Sequence, residues 1–282
     1  MSDELDISDP AYIAARNAIL LKEDGFAGVD ASDPTAPAGH AYGIHTSTRL
    51  SSYYRVTHRK GAMDVTPQQV IDCLVAANVK DWVLMGLHGY VGYLPMPRAT
   101  QDVDVMVPYS QKKRASDAIA RQWPMLERRE LSRVVRFLDP SDPAADGKPK
   151  PVIDLMLPWA EFQKTILLEQ VIIDADSGHR IPTIEAAVVS KYAAVVSPHR
   201  DWDKKEQDAV DLRRIIKANI DAIDRRQLSH LAMWSAAGQN CARQSRRFAP
   251  QGGPRTGWWT DASPLSISKT MAPASQAGGG LL

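Results

Sequence analysis

The sequence predicts an α+β fold, in which a mixed β-sheet with flanking helices is followed by a helical lobe. Four short apolar segments have the length and composition of buried strands, at residues 82–85, 103–107, 134–138 and 152–157. Apolar residues recur with the helical period elsewhere, at residues 110–122, 184–196, 203–218 and from about residue 220. Only helices follow the last strand, so we expect a sheet layer and then a helical layer.

The first helix of this body is predicted to start at Thr66-Pro67, a typical helix beginning. Its apolar residues Val70, Ile71 and Leu74 fall on one side, as expected for a helix that packs on a sheet. The strands that follow are short and apolar, which is typical of strands buried in a core.

The N-terminal region differs in composition from this body. A helix is predicted at residues 10–22, where Asp9 can cap the first turn and Pro10 fits its first position. Most of residues 23–62 lacks periodicity, so we expect no packed core there, and part of the extension is expected to be dispensable. The predicted regions are an N-terminal extension, an α/β core, a helical lobe and a disordered, Gly/Pro/Ser-rich tail, at residues 1–62, 63–180, 181–236 and 237–282.

Composition excludes several classes of protein. The net charge of +1 provides no global field for nucleic acid or an anionic membrane. No run of about 18 apolar residues occurs, and the acidic N-terminus lacks the apolar stretch of a signal peptide, so no membrane partner is expected. Cys73 and Cys241 are far apart and form no zinc or disulfide pattern, which favours the reducing cytoplasm.

Two carboxylates on one predicted strand indicate a metal site. Asp102 and Asp104 are two residues apart, so both side chains point to the same face of the sheet. Like charges at that distance repel unless a cation lies between them, and paired carboxylates suit a hard ion such as Mg²⁺. An ordinary solvated strand face is the alternative for so short a motif.

A third carboxylate lies in the apolar strand Pro-Val-Ile-Asp154-Leu-Met-Leu. An aspartate inside such a run is costly to bury without a partner. If this strand lies beside the one with Asp102 and Asp104, Asp154 joins the same metal cluster. The alternative is a structural aspartate whose hydrogen bonds are satisfied within the protein.

These motifs resemble the DNA polymerase β-like nucleotidyltransferase superfamily over roughly residues 66–232, and most closely its AbiEii-type toxins. The resemblance lies first in a strand, a glycine-rich turn, an Arg-x-Thr-x-Asp-x-Asp motif and a later strand with one aspartate. A helix with a lysine, a downstream arginine and an Asp-x-x-Asp-Leu motif are similar to later motifs of the family. The matching positions are Gly86, Arg98, Thr100, Asp102, Asp104, Asp154, Lys191, Arg200, Asp208, Asp211 and Leu212.

The resemblance implies roles for these residues. Asp102 and Asp104 would bind two Mg²⁺ ions, and Asp154 would bind the catalytic ion and help to deprotonate the attacking hydroxyl. The turn at Gly86 and Leu87 would approach the phosphates of an NTP.

Further residues are expected to lie around the nucleotide or to position those that do. Arg98 and Thr100 would shape the turn before the metal-binding strand or touch phosphate, and a structural hydrogen bond is the alternative for both. Asp208 and Asp211 would orient Lys191 or Arg200 rather than bind metal.

The implied activity is Mg²⁺-dependent transfer of a nucleotide from an NTP to RNA, for example a tRNA end, or to a protein. A toxin of this kind would have an antitoxin partner or serve in phage defence. An antibiotic nucleotidyltransferase is a second possibility. The third is a non-catalytic nucleotide-binding or partner-binding protein, favoured by Leu87, which stands where the family usually has a small residue.

Lys191 has two interpretations on its predicted helix. Its stem can run along apolar surface with the ammonium in water, or the charge can point across a cleft toward the carboxylates. We favour the second, and expect Lys191→Ala to weaken NTP binding while leaving thermal stability nearly unchanged. Separately, residues 110–138 are rich in Lys and Arg, which indicates either a surface for an RNA acceptor or a solvated helix face.

Overall fold

The structure is a computed structural model that describes residues 36–59, 61–144, 146–175 and 177–234. The helix predicted at residues 10–22 and the tail predicted at 237–282 lie outside the described residues. In the described part, no helix is both long enough and apolar enough to cross a membrane.

The described ranges contain eight α-helices and seven strands. The helices are α1 His40–His58, α2 Pro67–Ala76, α3 Gly86–Tyr90, α4 Lys112–Gln122, α5 Glu161–Glu169, α6 Ile184–Val195, α7 Trp202–Ala218 and α8 Arg225–Trp234. The strands are β1 Val83–Leu84, β2 Val103–Met106, β3 Glu127–Glu130, β4 Val134–Pro143, β5 Pro149–Met156, β6 Val171–Ile173 and β7 Arg180–Pro182. Short 3₁₀ helices lie at Val91–Tyr93 and Tyr109–Gln111.

Five strands form one mixed sheet in the order β1-β2-β5-β4-β3. Strands β2 and β5 are parallel, and the other neighbouring pairs are antiparallel. Strands β6 and β7 form a separate two-stranded sheet. The predicted fold class, a mixed sheet with flanking helices, is therefore confirmed.

One face of the sheet packs on the main core, and the other carries the aspartates beside a second apolar cluster that includes Val83 and Met106. Val103, Val105, Ile153 and Leu155 are fully buried in the main core. Because side chains alternate along a strand, the residues between them project from the opposite face. This alternation directs the aspartates of β2 and β5 away from the core.

Several elements differ from the sequence prediction. Strand β1 has two residues, and the last helix begins at Arg225 instead of near residue 220. Strands β3, β6 and β7 and helix α5 were not predicted. β3 has the sequence Glu-Arg-Arg-Glu, which shows no apolar alternation because the strand lies at the edge of the sheet and is largely exposed.

The prediction that most of residues 23–62 lack a packed core is wrong for α1. This helix buries Leu50 and Ile44 in the described core, and its Arg55 donates hydrogen bonds to Asp64 and to the carbonyl of Gln101. Its other buried positions include histidine, glycine, serine and threonine. A helix whose buried face is largely polar or small leaves no hydrophobic periodicity in the sequence.

Helix α1 packs closely on the segment around Gly92. A Cβ atom added at Gly92 would lie 2.4 Å from the Cα atom of His40, a distance at which backbone must move. The amide of Gly39 also donates a 3.1 Å hydrogen bond to the carbonyl of Gly92. The absence of a side chain at Gly92 therefore permits the docking of α1.

We expect Gly92→Ala to lower the free energy of unfolding by about 1–3 kcal/mol, the usual cost of overpacking. The loss should appear as a lower urea midpoint and as earlier proteolytic cleavage within α1. Val56→Ala is the control, because Val56 is on the same helix with its side chain exposed. Equal midpoints for the two variants would contradict a close α1 contact.

Candidate active site

The predicted convergence of three carboxylates is present in the structure. Strands β2 and β5 are adjacent and parallel, and Asp104 lies directly opposite Asp154 in their register. One oxygen atom from each of Asp102, Asp104 and Asp154 lies within 4.8 Å of the others. The sheet register, rather than a flexible loop, thus fixes the relative positions of two of the three groups.

The three carboxylates form a concentrated negative site that is set deep among protein atoms yet open along a cleft. Burial, followed by the charge of Asp154, raises the pKa of Asp102, against smaller opposing effects of Lys204 and Thr100. Burial, then the charges of Asp102 and Asp154, raises the pKa of Asp104 well above its usual value. A divalent cation would relieve both penalties, and an all-oxygen donor set fits Mg²⁺.

Arg136 on β4 is a site residue that the sequence analysis did not identify. Its Nε donates to Oδ1 of Asp154 at 2.8 Å, and its Nη2 donates to Oδ2 at 2.7 Å. The two residues lie directly opposite each other on neighbouring strands. The sequence offered one indication of this role. Arg136 lies between the apolar residues Val135 and Phe137, so its side chain must point to the face of the sheet opposite the core.

A cleft of about 170 Å³, open to solvent, adjoins the carboxylates. Its floor is apolar and its wall carries the cations of the helical layer. The lining residues are Met85, Gly86, Tyr90, Asp104, Met156, Pro182, Ala187, Ser190, Lys191, Ala194, Arg200 and Asp208. The lining thus combines the carboxylates of Asp104 and Asp208, apolar side chains and the cations of Lys191 and Arg200.

Gly86 and Leu87 face different environments. Gly86 has a φ of 56°, in the left-handed region that favours glycine, and it lines the cleft. Leu87 is buried in the main core, 4% exposed, and does not line the cleft. The bulk of Leu87 therefore does not obstruct the cleft.

Gly86 also makes room for Asp104. A Cβ atom added at Gly86 would lie 1.9 Å from Oδ2 of Asp104. We expect Gly86→Ala to displace this carboxylate and abolish Mg²⁺-induced thermal stabilisation. Gly147→Ala is the matched control, because Gly147 has a φ of 78° with no atom within 4 Å of an added Cβ. A Gly86→Ala protein that Mg²⁺ still stabilises would show that Asp104 can move without loss of the site.

Lys191 lies in a buried network and not on a solvated face. Its Nζ donates to Oδ1 of Asp208 at 2.6 Å and to Oδ2 of Asp211 at 3.2 Å, and it lies 4.3 Å from the centroid of the Tyr90 ring. Arg200, which is 40% exposed, also pairs with Asp208. These contacts argue against the expectation that Lys191→Ala leaves stability unchanged, because the change leaves buried carboxylates with fewer partners.

The opposite charges within this network stabilise one another by more than their burial destabilises them. Burial disfavours the charged form of Lys191, but Tyr90, Asp211 and Asp208 more than compensate and raise its pKa above the ordinary value. Burial would likewise raise the pKa of Asp211, but Arg98 and Lys191 lower it to about 2. At neutral pH Lys191 and Asp211 are therefore both ionised.

Arg98 belongs to the same network rather than to the cleft. Its Nη2 donates to Oδ2 of Asp211 at 2.8 Å and to the Tyr90 hydroxyl at 3.3 Å. Arg98 is absent from the cleft lining, so the structural hydrogen bond is the observed arrangement. Thr100 donates to Oδ1 of Asp102 at 3.3 Å and thereby touches the carboxylate cluster directly.

The loop that carries Arg98 and Thr100 is held by α1. Ser47 donates to the carbonyl of Arg98 at 2.6 Å, and Ser51 accepts from the amide of Thr100 at 3.0 Å. Arg55 donates to the carbonyl of Gln101 at 2.8 Å. Three side chains of one helix thus hold the backbone immediately before Asp102.

Comparisons with known proteins give distant structural likenesses only. No protein-family model matches the chain, and no curated protein matches it. A solution structure of the antibiotic-resistance factor ANT(2'')-Ia is similar over 64% of this chain and 95% of its own, with 13% identity and a TM-score of 0.43. The same factor in complex with adenylyl-2''-tobramycin covers the same shares, with 14% identity and a TM-score of 0.39.

A crystal structure of an antigenic nucleotidyltransferase-like protein from Paracoccidioides brasiliensis is also similar. It covers 75% of this chain and 93% of its own, with 13% identity and a TM-score of 0.35. Because these likenesses are distant, the case for function rests on the residues of the cleft.

Proposed function

We propose that the protein is a Mg²⁺-dependent nucleotidyltransferase of the DNA polymerase β-like type, which transfers a nucleotide from an NTP to an acceptor. The observation that carries this proposal is the group of three carboxylates within 4.8 Å of one another, on adjacent parallel strands beside a cleft with a cationic wall. Paired carboxylates next to phosphate-binding cations are the parts that nucleotidyl transfer requires.

Asp102 and Asp104 would hold Mg²⁺, and Asp154 would complete the donor set. When bound, the ions would neutralise the phosphates and stabilise the attacking and leaving oxygens at the α-phosphate. Thr100 orients Asp102 through its hydroxyl contact. Gly86 makes room for the Asp104 carboxylate, which a side chain at that position would displace.

Arg200 and Lys191 would receive the triphosphate. Arg200 is the more accessible of the two cations, and its guanidinium can exchange Asp208 for a phosphate oxygen. Lys191 is held by Asp208 and Asp211, so it supplies a fixed positive charge at the cleft wall. Asp208 and Asp211 therefore act as positioning residues and not as metal ligands.

Asp154 would accept the proton of the attacking hydroxyl, and Arg136 would position it for this role. The fork of Arg136 fixes the plane of the Asp154 carboxylate, because Oδ1 accepts from Nε and Oδ2 accepts from Nη2, with a longer second bond from Nε at 3.2 Å. The carboxylate that would deprotonate the acceptor therefore has a defined orientation.

The order of motifs extends the proposal to an AbiEii-type toxin that acts in the cytoplasm. In such a role the acceptor is RNA, for example a tRNA end, or a protein, and an antitoxin protein controls the activity. The motifs from Arg98 to Asp104 and from Lys191 to Leu212 support this assignment, since both blocks occur in the family's order.

A non-catalytic nucleotide-binding protein is the second candidate. Both oxygens of Asp154 are engaged by Arg136, and this arrangement favours a cluster whose third carboxylate serves structure alone. The inward direction of Leu87 removes the sequence argument for this candidate.

The test separates binding from transfer. Calorimetry with each NTP, with and without Mg²⁺, should show Mg²⁺-dependent binding that Asp102→Asn removes. α-³²P-labelled NTPs should then label total RNA or protein. Binding without label transfer would favour the non-catalytic candidate, and transfer to an aminoglycoside would identify an antibiotic nucleotidyltransferase. Absence of Mg²⁺-dependent binding would refute the proposal.

A further inference from the structure

Three histidines form a buried cluster that the proposed mechanism does not use. His40 is the first residue of α1, His88 lies in α3, and His179 directly precedes β7. All three are buried, and none of them lines the cleft. The rings of His40 and His179 meet edge to face, with their centroids 5.6 Å apart. We call these three residues the histidine cluster, which lies where α1 and β7 pack on α3.

The ring nitrogens of the histidine cluster are largely without partners. Among the described residues, both nitrogens of His40, both of His88 and Nδ1 of His179 are buried with no hydrogen bond. Nε2 of His179 lies 2.9 Å from Oε1 of Gln68 on α2. Buried polar atoms normally have a partner, and a protonated ring here would add a buried charge that costs far more than the neutral ring. The cluster therefore fits the docked structure only while its rings are neutral.

The charged groups around His88 also favour a neutral ring. Burial is the largest effect and lowers the pKa of His88 to about 3. Smaller effects in the same direction come from groups on α1, on the loop before β2 and beside β7, namely Arg55, His40, Arg98 and His179. Each of these groups opposes a proton on His88.

One carboxylate near the other two rings acts in the opposite direction. Burial lowers the pKa of His40 to about 4, while the charge of Asp174 opposes this effect and His179 reinforces it. Burial likewise lowers the pKa of His179, against the charges of Asp174 and Asp72. Asp174, between β6 and β7, already accepts hydrogen bonds from the amide and the hydroxyl of Ser177. It therefore reduces the cost of protonating these rings without removing it.

Helix α1 links the histidine cluster to the active site. His40 begins the helix, and Ser47 and Ser51, further along it, hold the loop before Asp102. We propose that the histidine cluster is a pH-sensitive switch, in which protonation of His40 and His88 releases α1 and thereby frees the loop before Asp102. Release lets the rings reach water, where their charge is no longer buried. The switch is a property of the fold and does not depend on the proposed reaction.

The direction of the effect follows from proton binding. The pKa values of His40 and His88 lie below the ordinary 6.5 while α1 is docked, so the released state binds more protons. The docked state is therefore fully favoured above about pH 6.5, and this advantage is lost as pH falls toward about 4. We expect the equilibrium constant for release of α1 to rise about 50-fold from pH 6 to pH 5, or about 7-fold for each histidine.

Hydrogen exchange of the metal-free full chain, followed by mass spectrometry, tests the switch. Exchange rates of peptides from α1 and from residues 98–101 are corrected for the intrinsic rate at each pH, which leaves the opening constants. Both peptides should show the rise, because the amide of Thr100 donates to the hydroxyl of Ser51 on α1. A peptide from β5, whose apolar residues lie in the main core, should show no such rise.

Substitutions assign the rise to the two histidines. His40→Gln and His88→Gln should each reduce it to about 7-fold, and the double variant should show little or none. His45→Gln is the matched control, because His45 is an exposed histidine of the same helix, and it should keep the wild-type rise. Wild-type opening constants that stay flat from pH 6 to pH 5 overturn the proposal even if a variant fails to fold. Equal rises in the wild type and the double variant also overturn it, as does a rise in α1 that the loop does not share.

Discussion

Asp104→Asn is expected to reduce Mg²⁺-dependent transfer by about a thousandfold or more and to stabilise the metal-free protein at neutral pH. The loss follows because a metal site contributes several kcal/mol of transition-state stabilisation, and about 1.4 kcal/mol corresponds to a factor of ten. The gain follows because the carboxylate is held beside Asp102 and Asp154, whereas an amide carries no charge to bury or repel.

The pH dependence has a defined sign. The pKa of Asp104 is raised well above 3.8 in the folded protein, so the folded state keeps a proton that the unfolded chain has released. Without metal, the free energy of unfolding should therefore fall as pH rises from about 4 through the folded pKa. Asp104→Asn should flatten this part of the profile.

Thermal unfolding with and without Mg²⁺ checks both effects. The wild-type Tm should rise with Mg²⁺ because the ion binds only the folded state, and that of Asp104→Asn should not. Asp221→Asn, at an exposed position, is the control and should behave as the wild type. An Asp104→Asn protein that is less stable than the wild type in metal-free buffer would show that the carboxylates do not repel one another.

Lys191→Ala is expected to lower the free energy of unfolding by about 3–5 kcal/mol, the usual cost of removing one partner of a buried ion pair. For a chain of this size the Tm should fall by about 6–20 °C. NTP binding should also weaken about 10- to 150-fold, since charge-assisted contacts to phosphate contribute about 1.5–3 kcal/mol.

Two controls separate these effects. Lys217→Ala removes an exposed lysine of α7 and should change neither Tm nor affinity. Lys191→Met combined with Asp208→Asn should regain part of the lost stability, because the buried negative charge that loses Lys191 is removed as well, but should not regain NTP affinity. A Lys191→Ala protein with wild-type Tm would show that the buried network contributes nothing to stability.

Low pH should also weaken this network, because it protonates Asp211. Arg98 and Lys191 lower the pKa of Asp211 to about 2, so its contribution to stability is complete above 3.8 and is lost as pH falls toward 2. Lys191→Ala should therefore reduce the acid sensitivity of unfolding as well as the stability itself.

The sequence was most informative where periodicity and chemistry coincide. Asp102 and Asp104 share a face because side chains alternate, and Asp154 stood out as a charge within an apolar strand. Arg136 satisfies the same criterion on β4 but was not recognised, because its role appears only when the register pairs it with Asp154. Pairing between strands distant in the sequence is not encoded in any local pattern.

Helix α1 was missed for a different reason. Its docking depends on Gly92 and on buried serine, threonine and histidine side chains, none of which produces an apolar stripe. Lys191 was placed on the correct helix and the resemblance pointed to Asp208 and Asp211 as its partners, but the burial of the network was not predicted. The sequence therefore predicted which residues matter more reliably than what each of them contacts.

Ser47, Ser51 and Arg55 of α1 hold the loop before Asp102. The smallest fragment with an intact site therefore includes α1. A shorter chain that began at Met63 would retain every carboxylate and cation of the cleft. It would also leave three backbone groups of that loop without their present partners, and such groups must find others or lose free energy. A graft of the motif-bearing segment onto another scaffold would thus transfer the carboxylates without the helix that holds the loop before Asp102.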